Sequence, residues 1–162
     1  MKPNRIAVLA AAATLAACVN PELSFKPGVT AGTEVIQRMG PAHHVWPEPD
    51  GGATWEYVYG PSGTYMTGVD RAGVVTRIEQ VLSEKYFSRV RSGMKPEEVR
   101  RRAMGPPFRV LEFARVRETI WDYRYRDAWN YPSVFSVIVD ETGVVKTTVN
   151  QREFYGAPTP SK

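Results

Sequence analysis

The sequence predicts an α+β fold made of two tandem units. Each is a short helix or helix pair packed on a three- to four-stranded antiparallel sheet. Three matches between the halves of the chain carry this expectation. Trp55-Glu56-Tyr57-Val58-Tyr59 repeats as Trp121-Asp122-Tyr123-Arg124-Tyr125, Gly40-Pro41 as Gly105-Pro106, and Asp70-Arg71-Ala72-Gly73-Val74-Val75 as Asp140-Glu141-Thr142-Gly143-Val144-Val145. The three keep their order with almost constant spacing, which is the signature of an internal repeat.

Each copy opens with a helix. In the first, Thr30 or Thr33 is placed to cap it, and Val35, Ile36 and Met39 form an apolar stripe at helical spacing. In the second, Pro96 sits in the first turn and Glu97 and Glu98 lie at the positive end of the helix dipole. Gly40 and Gly105 supply left-handed terminating residues, and the prolines after them block continuation. Strands follow. Alternation puts Trp55, Tyr57 and Tyr59 on one face of a strand, and Trp121, Tyr123 and Tyr125 on one face of its counterpart. Segments 64–70 and 133–140 each run into an Asp-x-x-Gly turn, with Gly73 and Gly143 at positive φ. The last strands span 74–81 and 144–150. Residues 108–113 read as an added first strand of the second copy, with 43–46 as its counterpart. Between the copies, 83–90 fits a further short helix capped by Ser83.

The amino terminus has a separate meaning. Lys2 and Arg5 precede an apolar run from Ile6 to Ala17, which ends at Leu15-Ala16-Ala17-Cys18. This is the layout of a secretory signal peptide over 1–17. The run is shorter than the roughly 20 residues that span a bilayer. Cys18 is the only cysteine, so no disulfide can form within the chain, and its position resembles a bacterial lipobox with the lipid carried on Cys18. Residues 18–27 then read as a lipidated tether, 28–82 as the first repeat, 83–155 as the second, and 156–162 as a disordered tail. The formal net charge is +4, and falls to about +2 once Lys2 and Arg5 are removed with the leader. The only basic block is Arg100-Arg101-Arg102, which gives no footprint for nucleic acid.

Catalytic patterns are not found. His43 and His44 are adjacent and would point to opposite faces of a strand, so they do not make a metal pair. There is no nucleophile elbow and no phosphate loop. Glu56 and Asp122 are equivalent strand acids, expected to pair with a nearby cation rather than to act as acid and base. No cofactor is implied beyond the lipid. Aromatic residues are the better candidates for function. Trp55, Tyr57, Trp121 and Tyr123 are expected in the core, under the helices, with an exposed docking face as the alternative. Trp46, Trp129 and Tyr131, beside prolines and polar residues in loops, are expected to contact a partner, with Arg100 and Arg101 as an electrostatic rim.

The lipobox, Gly28-x₁₁-Gly40-Pro41, the W-x-Y-x-Y segments and the D-x-x-G-V turns together resemble the SmpA/OmlA (BamE-like) family of outer-membrane lipoproteins. The second copy, from Glu84-x-x-Phe87 through Gly93-Met94 and Gly105-Pro106, is the closer match. The tandem doubling is similar to the β-lactamase-inhibitor-protein fold. The resemblance implies a non-enzymatic, lipid-anchored module at the periplasmic face of the outer membrane. Its partner would be an envelope protein, in β-barrel assembly or envelope integrity. Val19 after the cysteine, by similarity to enterobacterial sorting, implies the outer rather than the inner membrane. The alternative is an inhibitor or sensor that captures an enzyme or a cell-wall ligand on a concave sheet face.

Overall fold

A computed structural model describes residues 24–153. The leader, Cys18 and the tail over 156–162 lie outside the described residues. The first unit contains α1 (Gly32–Met39), β1 (His44–Pro47), β2 (Ala53–Tyr59), a 3-10 turn (Gly60–Ser62), β3 (Gly63–Val69) and β4 (Val75–Gln80). Two short helical segments follow, α2 (Glu84–Phe87) and α3 (Pro96–Val99), the latter running on as a π turn (Arg100–Met104). The second sheet is β5 (Arg109–Phe113), β6 (Glu118–Arg126), β7 (Pro132–Val139) and β8 (Val145–Arg152). Both sheets are four-stranded antiparallel meanders, ordered β1-β2-β3-β4 and β5-β6-β7-β8. The protein is thus α+β, with two tandem sheet-helix units.

The repeat extends to fine detail. Register slips between Gly68 and Val69 in one sheet and between Ile138 and Val139 in the other, at the same point before the turn. The turns themselves match. Asp70 accepts the N–H groups of Ala72 and Val74, each at 2.9 Å, and Asp140 accepts those of Thr142 and Val144. Gly73 and Gly143 take φ of 80° and 79°. A side chain that holds its own turn, followed by glycine in the left-handed region, specifies this geometry locally.

Helix ends differ from expectation. Ala31, not a threonine, caps α1, and its side chain cannot accept. The Thr30 hydroxyl instead accepts the Lys26 N–H at 2.8 Å. Ser83 is the N-cap of α2 but makes no capping bond through its hydroxyl. That helix covers four residues rather than the expected 83–90. Phe25, within the 18–27 segment, is 2% exposed and packs with Val35, Tyr57, Val75 and Ile78, so the packed core begins before residue 28.

Each sheet has its own core. The first joins Phe25 and Val35 to Tyr57, Val75 and Ile78, with Trp55 and Tyr65 packed against them. In the second, Phe87, Val90, Val99 and Met104 cover Tyr123, Tyr125, Phe135 and Val137. Phe87 stacks on Phe135 at 4.3 Å and meets Tyr125 edge-on. The two cores do not merge; the opposite face of the first sheet joins them. There Met66 and Val81 bury Tyr86 of α2, and Thr64 lies against Gly105. The helical segment α2–α3 therefore serves two sheets, one on each side.

Candidate functional site

Two sites emerge from this architecture: the junction between the units, and the tip of the β6–β7 hairpin. At the junction, Glu56 lies on the strand face turned toward the second unit and is 1% exposed. A carboxylate so placed needs a counter-charge with good hydrogen bonds. Arg100 provides both, donating from Nη2 at 2.8 Å and Nε at 3.3 Å. The hydrogen bond to Glu56 raises the Arg100 pKa, opposed by burial. The Trp46 indole N–H donates to the same carboxylate at 3.4 Å, and the Arg100 guanidinium lies 5.5 Å from the Trp46 ring. Arg101 donates to the Pro47 carbonyl at 2.8 Å and reaches Glu48 at 3.3 Å.

The equivalent acid, Asp122, is 3% exposed but solves the same problem within its own sheet. Arg109 sits opposite it on β5, just as His44 sits opposite Glu56 on β1. Arg109 donates to Asp122 from Nε at 2.9 Å, and the Ser136 hydroxyl donates at 2.6 Å. The duplicated acids have diverged: one is neutralised internally, the other across the repeat junction. Both are occupied by structural ion pairs. No cluster of three or more metal-ligating side chains is found among the described residues.

Why Arg100 reaches Glu56 is a matter of helix geometry. Val35 and Val99 are both fully buried in their units. They are one residue closer in repeat spacing than Gly40 and Gly105 are. The π turn over Arg100–Met104 accommodates that extra residue and occurs, as such turns often do, at a specialised position.

The hairpin tip carries the exposed aromatics. Trp129 is 77% exposed and Tyr131 55%. The loop is nonetheless tied down. Asp127 Oδ1 accepts the N–H groups of Trp129 at 2.9 Å and Tyr131 at 2.8 Å, and Asn130 takes a left-handed φ of 64°. Arg152 of β8 donates to Asp127 Oδ2 at 2.7 Å and lays its guanidinium 4.5 Å from the Tyr131 ring. Desolvation of the Asp127 carboxyl favours its neutral form, but the N–H donors and Arg152 outweigh it and hold the pKa below the usual aspartate value. A cleft of about 300 Å³ opens beside Trp129, bordered by Tyr125, Asn150 and Glu84.

The residues singled out from the sequence thus divide. Trp129 and Tyr131 stand together at the hairpin tip. Trp46, Arg100 and Arg101 are gathered at the junction and engaged there. Tyr57 and Tyr123 are buried, with Trp55 and Trp121 half-buried beside them. Gly40, Gly73, Gly105 and Gly143 all have positive φ. Only Gly105 also touches the other unit: a Cβ there would lie 2.5 Å from the Thr64 methyl. Asp127 and Arg152 were not singled out. Asp followed by Asn within a short polar loop is the turn signal that would have found Asp127; Arg152 has no local signal.

No family model matches the chain, and no curated protein matches it. Among solved structures, it is similar to the crystal structure of a DUF4309 family protein (YjgB) from Bacillus subtilis, with 15% identity and a TM-score of 0.28, over 80% of this chain and 83% of that one. No helix among the described residues is long and apolar enough to cross a membrane.

Proposed function

We propose that this chain is a non-enzymatic protein-binding module of the bacterial envelope, tethered through lipid on Cys18, and that it contacts its partner through Trp129 and Tyr131. One observation carries the reading. A tryptophan 77% exposed is held on a loop braced by Asp127 and Arg152. Exposed aromatics on ordered backbone supply most hot-spot energy, because little entropy is lost when they are covered. The engagement of Glu56 and Asp122 in ion pairs agrees with a scaffold rather than a catalyst.

The leader pattern and the resemblance to SmpA/OmlA lipoproteins support a place at the periplasmic face of the outer membrane. The partner in this reading is an envelope protein, with the β-barrel assembly machinery as the first candidate. A tether of this kind raises the local concentration of the module at the membrane, so modest contacts suffice. The test is complementation of a deletion strain, scored by envelope permeability. Wild type restores the barrier, while Trp129→Ala with Tyr131→Ala does not, at equal protein level. Cys18→Ser loses both palmitate-analogue labelling and membrane association. Full restoration by the double aromatic variant overturns the contact site; labelling that survives Cys18→Ser overturns the anchor.

A further inference from the structure

A groove opens where the two units meet. Its volume is about 400 Å³, within the range of small-ligand sites. Its floor is apolar, formed by Met66, Val81 and the buried ring of Tyr86. Four guanidiniums line the walls, those of Arg77, Arg89, Arg101 and Arg102, against only two carboxylates, Glu48 and Glu79. Both carboxylates are already engaged. Glu48 accepts the Thr54 hydroxyl at 2.8 Å and pairs with Arg101, and Glu79 lies 3.8 Å from Lys85 and 3.9 Å from Arg77.

The arginines differ in how far they are held. Arg77 is fixed by donating to Thr54 at 2.8 Å, and Arg101 by the Pro47 carbonyl at 2.8 Å. Arg89 lies 4.3 Å from the Tyr86 ring centroid and meets no carboxylate among the described residues. Arg102 is 72% exposed and reaches Glu98 only at 4.0 Å. Two forks are therefore fixed by short hydrogen bonds, and two are held only by the Tyr86 ring and by a long pair with Glu98. Guanidinium forks match phosphate oxygens two at a time. The lining carries a formal excess of two positive charges, and a phosphate monoester carries close to two negative ones at neutral pH.

We propose that this groove binds a phosphate monoester attached to a compact ring or chain, such as a sugar phosphate or a lipid headgroup, with the non-phosphate part over Met66 and Val81. Neither unit forms the site alone. Arg77 and Glu48 come from the first, Tyr86, Arg89, Arg101 and Arg102 from the second. The inference stands apart from the Trp129 contact.

The full chain in detergent is titrated calorimetrically with glucose 1-phosphate and with glucose. Saturable one-to-one binding of the phosphate alone is expected. Arg89→Ala with Arg102→Ala, both exposed, weakens it by about tenfold or more, with the melting temperature read alongside to show that the fold is kept. Arg115→Ala, an exposed arginine outside the groove, leaves it unchanged. Displacement by a short-chain phosphatidic acid but not by the matching phosphatidylcholine assigns the phosphate to a lipid source. Binding without such displacement assigns it to a soluble one. Equal binding of glucose and glucose 1-phosphate, no binding at millimolar concentration, or wild-type affinity in the double variant overturns the proposal.

Discussion

Removing the Arg100 guanidinium should cost this protein more than removing any surface charge. Arg100→Met keeps most of the side-chain length but leaves the Glu56 carboxylate 1% exposed with only the long Trp46 contact. Breaking a buried pair from one side costs about 3–5 kcal/mol. The Arg100 side chain is itself 34% exposed, so water partly compensates, and the lower end, about 3 kcal/mol, is expected. Replacing both partners, Arg100→Met with Glu56→Gln, removes the orphaned charge. It should recover about half of the loss or more, a coupling of roughly 1.5–3 kcal/mol in the double-mutant cycle. Arg38→Met is the control. Its partner Glu34 is 40% exposed, and the loss should stay below about 1 kcal/mol. Urea unfolding of the full chain reads these three variants and the Glu56→Gln single variant that completes the cycle. Because the pair crosses the junction, Arg100→Met should also broaden the transition, as the units lose cooperativity. A loss below about 1 kcal/mol for Arg100→Met, or additivity in the cycle, would refute the view that this pair fastens the units together.

Further expectations follow from the same geometry. Gly105→Ala combines a positive φ of 70° with a contact of 2.5 Å to the Thr64 methyl. It should destabilise by about 2 kcal/mol or more, against about 1 kcal/mol for Gly40→Ala, where nothing lies within 4 Å. Adding Thr64→Ser, which deletes that methyl, should recover part of the Gly105→Ala loss, and thermal melts check this. The Tyr57 and Tyr123 hydroxyls are buried with no hydrogen-bond partner, and burial pushes the Tyr57 pKa up to about 12 and that of Tyr123 higher still. Tyr57→Phe and Tyr123→Phe should therefore be neutral or stabilising by up to about 1 kcal/mol in urea. The carboxyl of Asp127 has a lowered folded pKa. Its contribution is complete above the unfolded value of about 3.9 and disappears as pH falls through the folded value. The indole resonance of Trp129 should thus hold its position from neutral pH to about 4 and move only below that. In Asp127→Asn the acid-dependent step should vanish.

Much of the fold is legible in the sequence because its determinants are local. The W-[DE]-Y-x-Y segments encode one buried strand face each, and Tyr57 and Tyr123 occupy it at 0% and 1% exposure. The Asp-x-x-Gly turns hold themselves through Asp70 and Asp140. What escapes is tertiary. Arg100, Arg101 and Arg102 look alike as a run on a helix, and only the packing of α3 against the first sheet separates them: Arg100 on Glu56, Arg101 on Pro47, Arg102 at the groove edge near Glu98. The π turn leaves one trace, a single-residue drift in repeat spacing between the buried valines and the terminating glycines. Phe25 escapes because an isolated aromatic between prolines has no periodicity, and the cavity it fills is built by Val35 and Tyr57. The hairpin tip is half legible: exposure of Trp129 follows from its polar neighbours, whereas the brace from Arg152 depends on strand register.

The most direct measurement is photo-crosslinking in living cells. A benzophenone amino acid at Ala128, exposed beside Trp129, leaves both aromatics in place. The same group at Val29, 76% exposed, serves as the control. The account predicts one discrete adduct with an envelope protein from position 128, absent from position 29 and lost with Trp129→Ala. No adduct from position 128, or the same adducts from both positions, would contradict it.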